Sequence, residues 1–188
     1  MTRILGIDPG LTRCGVGVID LAPGRRVTLV SVGVFRSEPT EELSVRIGTL
    51  AESIENLIQT AKPDVLALER VYADVNVRSV MGTAQISGVV LMLAHKYKLP
   101  IAMHTPTEVK AAVTGSGKAD KKQVGTMVAK ILGLTEVPKP ADAADSLAIA
   151  ICHAWRGAGA SAATGSAQTA AQAAWQQAER AAARKRER

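Results

Sequence analysis

Apolar positions along this chain follow two periods, and the switches between them outline an α/β fold. Residues 3–8 (RILGID) form a short apolar run closed by Asp8, and Pro9-Gly10 turns the chain. Residues 14–21 (CGVGVIDL) and 26–35 (RRVTLVSVGVF without its first Arg) read as the next two strands, with Pro23-Gly24 marking a hairpin between them. Helical spacing takes over at 41–61, where Leu43, Ile47, Leu50, Ile54 and Leu57 recur among charges. Residues 64–69 (DVLALE) read as a strand buried on both faces, 76–97 as a second long helix, and 99–103 as a fifth strand. Residues 106–113 and 121–132 are predicted helices around a Gly/Lys loop, and 140–155 is a final helix. Three hairpin-linked strands followed by βα units predict a five-stranded mixed sheet flanked by helices.

The pattern fails beyond Gly157. GAGASAATGSAQ is low in complexity and reads as a flexible linker. Residues 170–188 are Ala-rich with almost no apolar stripe, and hold five Lys/Arg against two Glu. The predicted organisation is one domain over 1–156 and a basic, flexible tail over 157–188.

Composition narrows the class. The net charge of +6 and pI near 9.6 favour a polyanionic partner, nucleic acid first. Only one Phe, two Tyr and two Trp are present, so the core is expected to be aliphatic. Cys14 and Cys152 form no CxxC pair, which argues against a disulfide framework or zinc cluster and fits a reducing cytoplasm. No signal-peptide pattern is evident, and no apolar stretch is long enough to span a bilayer.

The chemistry lies in the acids. Asp8 and Glu69 end apolar strands, and Asp142 and Asp145 sit three apart at the start of an otherwise apolar helix. Burying a carboxylate is costly unless cations or donors compensate it. Active groups gather at the carboxyl ends of strands in open α/β sheets, and an i, i+3 pair shares one helix face. One cluster of four hard oxygen donors would suit Mg²⁺ or Mn²⁺ rather than zinc. Two such ions about 3.5–4 Å apart would hold an attacking water and a leaving oxygen in line on a phosphate. Each acid also has a separate explanation: Asp8 as a turn residue, Glu69 as a surface acid or partner of Arg70, Asp142 as a helix-start residue, Asp145 as solvent-facing. Arg70, Arg78, Lys110, Lys118, Lys121 and Lys122 are candidate phosphate contacts, though for each taken singly a solvated surface charge is the more common explanation. Tyr72 would stack on an unpaired base or pack against Val71 or Val75. In the second long helix Val77, Val80, Met81, Ala84, Gly88 and Leu91 line one stripe, fit for a dimer surface or for packing on the sheet.

The strings ILGIDPGLTRCGVGVID, LALERVYADVNVRSVMGTAQISGVV, TPTEVKAAVTGSGKADKKQV and PADAADSLAIAICHAW occur in this order over residues 3 to about 156. Together they resemble the RuvC-type crossover-junction endodeoxyribonucleases, the Holliday-junction resolvases of bacteria. The resemblance implies an RNase H-like fold, a homodimer, and Mg²⁺-dependent cutting of two opposed strands in DNA recombination and repair. It places the family's acidic set on Asp8, Glu69, Asp142 and Asp145, the third of which is His in some relatives. It matches the family's DNA-binding lysines to Lys110 and Lys121, with Lys118 and Lys122 nearby, and its base-stacking aromatic to Tyr72. It also implies contact with the RuvA–RuvB branch-migration complex, and it does not extend to the tail.

Other motifs fail. Gly117-Lys118 is no phosphate-binding loop, since Ala112 and Ala119 stand where Gly and Ser/Thr are needed. His95, His104 and His153 are not expected to form a ligand set, because His153 lies about 12 Å along the helix from Asp145. Cys14 is expected to pack within its strand. Three rivals remain at this stage: an RNA-processing nuclease of the same fold, a junction-binding module without catalysis, and a sugar-kinase-like ATPase suggested by DPGLTRCG. The last needs two such domains where this chain offers one.

Overall fold

The structure is a computed structural model that describes residues 1–70 and 77–163. Its elements run β1 (Thr2–Asp8), β2 (Arg13–Leu21), β3 (Val27–Arg36), α1 (Leu43–Ala61), β4 (Val65–Glu69), α2 (Val77–Lys96), β5 (Ile101–His104), α3 (Pro106–Thr114), α4 (Lys121–Leu132) and α5 (Ala141–Ala163). The sheet order is β3-β2-β1-β4-β5. The first three strands are antiparallel neighbours, and β1, β4 and β5 run parallel, so the expected mixed sheet is present. A short 3-10 turn at Pro23–Arg25 closes the β2–β3 hairpin.

Most predicted boundaries hold within about two residues. The exception is α5, expected to end at 155 and found to reach Ala163. Alanines at 158, 160, 162 and 163 favour helix more than Gly157 and Gly159 oppose it. The chain divides into two units, Met1–Gly157 and Ala158–Arg188. Among the described residues no helix is long and apolar enough to cross a membrane.

Strand alternation sorts the core into two layers. Leu5 and Ile7 of β1, with Leu66 and Leu68 of β4, pack against Leu50, Ile54 and Ile58 of α1 and Ile86, Val90 and Leu93 of α2. Ile4 of β1, with Val65 and Ala67 of β4, packs on the other face with α3, α4 and α5 through Val109, Val113, Val124, Val128, Leu147 and Ile151. Cys14 is fully buried in the first layer, as its strand position predicted. The described part of the α2 stripe faces outward: Met81, Ala84, Gly88 and Leu91 are exposed and Val80 is half-buried, while Ile86, Val90 and Leu93 face the sheet instead.

The placement of α5 depends on glycines in the strands beneath it. A Cβ on Gly6 would overlap the backbone of Ser146, and one on Gly15 would overlap the carbonyl of Asp142. Only glycine allows the first turns of α5 to lie directly on β1 and β2.

Gly15→Ala is expected to destabilise the fold by about 2–3 kcal/mol in urea unfolding, through a forced shift of α5. Gly33→Ala is the control: a Cβ there comes no closer than 4.0 Å to Val16 Cγ2, so its effect should stay below about 1 kcal/mol.

Candidate active site

Period two fixes which way the strand acids point. Ile4 and Gly6 face α5, so Asp8, two residues further on, shares their side of the sheet. Val65 and Ala67 do the same for Glu69. The parallel register pairs Ile7 with Leu68, so Asp8 and Glu69 leave neighbouring strands one residue later, side by side. Gly15, opposite Asp8 on β2, brings the start of α5 over them and with it Asp142 and Asp145.

Asp8, Glu69 and Asp145 line one cleft of about 230 Å³ together with Lys110, Lys121 and Ala148. Asp8 also borders a second cleft of about 550 Å³, shared with Asp142, Arg13 and Arg46. Asp8 thus joins two compartments, with Asp145 on one side and Asp142 on the other.

The electrostatics show how crowded the acids are. Burial, reinforced by Glu69, Asp145 and Asp142, pushes the Asp8 carboxyl up to about 7, against a partial offset from Lys121. Burial and then Asp145 raise Glu69 as well, with Lys121 and Lys110 opposing. Two cations hold the helix acids: Lys121 Nζ donates to Asp145 Oδ2 at 3.0 Å, and Arg13 Nε lies 3.1 Å from Asp142 Oδ2. The bond to Asp145 raises Lys121 above its ordinary value. Among the described residues no three His, Cys, Asp or Glu side chains are already drawn together tightly enough to hold a metal ion. The donor set still fits a hard divalent cation: three carboxylates line one cleft, and added positive charge there would favour the ionised form of Asp8, whose carboxyl is held up to about 7.

Capping boxes aim the cleft lysines. Thr105 and Glu108 cap α3, which carries Lys110, and Asp120 and Gln123 cap α4 immediately before Lys121. Lys118 and Lys122 are not brought to the acids; they line a separate cleft with Ser116, Gln123 and Thr126. Lys122 follows Lys121 by one helical residue and is turned about 100° away. Arg70 is exposed at the end of β4, where its N–H donates to His104 O at 2.7 Å. Tyr72 lies outside the described residues, as does the Arg78 side chain. Sequence spacing missed Arg13 and Arg46, because nothing in DPGLTRCG or SVRIG signals that these arginines border the acids. It also missed that His104 and His153 face each other, Nε2 to Nδ1 at 3.3 Å, with burial lowering both.

The model of one protein family, described as "Crossover junction endodeoxyribonuclease RuvC", matches residues 4–153. The chain belongs to the RuvC family. A RuvC relative from Saccharopolyspora erythraea is 60% identical over 154 residues, covering 82% of this chain and 77% of the relative. One from Leifsonia xyli subsp. xyli is 55% identical over 195 residues, covering 97% and 94%. The solved structure of Thermus thermophilus RuvC in complex with Holliday junction substrate is 31% identical with a TM-score of 0.79, covering 84% of this chain and 95% of that one. The fold is therefore the RNase H-like one of RuvC, a family of divalent-metal-dependent nucleases.

Without divalent cation, the native protein holds a proton on Asp8 that the unfolded chain releases near pH 4. Stability should therefore fall as pH rises from about 4 through 7, by up to about 4 kcal/mol from this group. Differential scanning calorimetry should show Asp8→Asn melting several degrees above wild type at pH 8. The gap should close at pH 4 and shrink when Mg²⁺ is added.

Proposed function

We infer that the chain carries out the reaction of its family, cutting four-way DNA junctions, and that Asp8, Glu69, Asp142 and Asp145 form its catalytic acidic set. The chain is a crossover junction endodeoxyribonuclease acting in DNA recombination and repair. The observation that carries the residue assignment is the raised Asp8 carboxyl, flanked by three further carboxylates at the mouth of two clefts.

Asp8, Glu69 and Asp145 would hold divalent cation in the smaller cleft, and Asp142 would join them on leaving Arg13. Two Mg²⁺ ions, replaceable by Mn²⁺, match four acids better than one ion does. Bound cation supplies Lewis-acid stabilisation of charge building on the phosphate and makes water a competent nucleophile near neutral pH. The chain's own groups do the rest. Lys110 and Lys121 offset part of the cleft's negative charge and, together with bound cation, would let a phosphodiester approach an acidic site. Asp8 gives up its proton as positive charge arrives and is then fully anionic. Lys121, once released from Asp145, is free to contact a phosphate oxygen. Water adds to phosphorus and the 3′ oxygen departs, leaving a 5′-phosphate and a 3′-hydroxyl.

The exposed Met81, Leu91 and Met92 on α2 support a homodimer, in which two sites would cut strands of like polarity. Tyr72 is proposed to stack on a base near the crossover, and Arg70 and Arg78 to contact DNA. Lys118 and Lys122 would reach a more distant phosphate from their own cleft. Contact with a RuvA–RuvB complex is proposed on family grounds alone. Residues 157–188 are proposed as an appendage to the nuclease domain, and the cytoplasm as its location.

A synthetic four-way junction, a matched duplex and a structured RNA, each with and without Mg²⁺, test the assignment. The expected result is paired nicks in the junction only, with cation present. Asp8→Asn should lose at least about 10³-fold in cleavage while junction affinity stays within a few-fold. Full cutting by that variant, or preference for RNA, would overturn it.

A further inference from the structure

The larger cleft beside Asp8 holds Asp142 and Arg13 but also carries charge that the chemistry above does not use. Its wall is the turn between β1 and β2, Pro9 to Arg13, faced by Arg46 of α1 and by Gly82 and Thr83 of α2. The turn is held rigidly. Ser37 Oγ donates to Leu11 O at 2.5 Å, and Ser37 N donates to Thr12 O at 3.3 Å. Arg46 donates from Nε to Ser37 Oγ at 3.1 Å and from Nη2 to Thr12 Oγ1 at 2.9 Å.

Arg46 is half-buried, yet among the described residues it meets hydroxyls and no carboxylate. A partly desolvated guanidinium without an anion is costly, because hydroxyl dipoles replace only part of its hydration. Arg13, whose side chain is 55% exposed, stands on the same cleft with Nε on Asp142. Two guanidinium forks therefore border an open cleft that begins at Asp8. Guanidinium forks suit phosphate oxygens better than ammonium groups do. The lysines belong to the smaller cleft, which Asp8 also borders. A strand lying across Asp8 would then meet cations in both clefts.

We propose that Arg13 and Arg46 bind a non-scissile phosphate of the cleaved DNA strand in this cleft, next to the phosphate held at the acids. The proposal rests on the junction-cutting reading above and deepens it. Arg46 supplies the fixed half of the subsite. Arg13 is the movable half: drawn to the incoming phosphate, it frees Asp142 to turn toward Asp8. Strand binding and completion of the acidic set are thereby coupled through one side chain.

The test pairs each arginine with the phosphate it contacts. Junctions carrying a single neutral methylphosphonate at each position flanking the cut are bound by Asp8→Asn protein, with or without Arg13→Gln or Arg46→Gln. At one flanking position the neutral linkage should weaken binding about tenfold for the Asp8→Asn protein. Once either arginine is replaced, the same linkage should cost less than twofold more. Multiplicative losses at every position would overturn the subsite. Arg46→Lys separates charge from scaffolding: it keeps the cation and loses the fork to Ser37 and Thr12. The subsite predicts part of the binding lost in Arg46→Gln to be recovered, and a purely structural Arg46 predicts none. Wild-type protein in the same assay keeps the two readings apart. If it cuts junctions but no arginine couples to a phosphate, only the subsite fails; if it binds and cuts no junction, the functional reading fails and takes the subsite with it.

Discussion

The close seating of α5 on β1 and β2 is the constraint on which the site depends. Gly6 and Gly15 leave no side chain between the sheet and the first turns of the helix, and any Cβ would displace the backbone of Ser146 or Asp142. Asp142 and Asp145 are held over Asp8 by that contact rather than by their own hydrogen bonds. The rest of α5 secures the seat with fully buried apolar side chains, Leu147, Ile149 and Ile151 among them. Stability and placement of the acids thus share one interface, and a substitution that loosens the helix also disperses the carboxylates.

That arrangement costs electrostatic energy, and the chain offsets it with basic residues. Burial and three neighbouring carboxylates lift Asp8 to about 7. Lys121 and Arg13 engage Asp145 and Asp142, one from each side of Asp8. Both pairs are partly exposed, so each contributes little to folding. Their more telling property is that they can be exchanged. Under the proposed assignment, a cation competing for the carboxylates would release a lysine and an arginine where a phosphate would be gripped. The same charges would serve first as counter-ions to the acids and then as contacts to DNA.

Much of the fold was legible because its elements are long and strongly patterned. The apolar runs ending in Asp8 and Glu69 gave both strands and, through period two, the shared face of their acids. The i, i+3 spacing of Asp142 and Asp145 gave the helix face. Spacing along the chain says nothing of contacts between distant segments, and the failures lie there. Arg13 is 129 residues from Asp142, and nothing in the motif around it signals that contact. Lys118 and Lys122 look like companions of Lys121, but one residue of helix turns Lys122 toward another cleft, and Lys118, in the loop before α4, lines that cleft too. Spacing along α5 separates His153 from Asp145 but says nothing of His104, which the packing of α5 beside β5 brings to it. The extension of α5 to Ala163 was missed because two glycines weighed more in the pattern than the alanines around them.

The central claim is that these acids form one divalent-cation site, with Lys121 in the place that cation charge would take. Anomalous diffraction from crystals soaked in Mn²⁺ at pH 8 tests it most directly. Manganese is expected within about 2.0–2.3 Å of oxygens from Asp8, Glu69 and Asp145, with Lys121 Nζ displaced from Asp145. Manganese absent from all three carboxylates, with the Lys121–Asp145 bond intact at a cation concentration that supports cleavage, would contradict it.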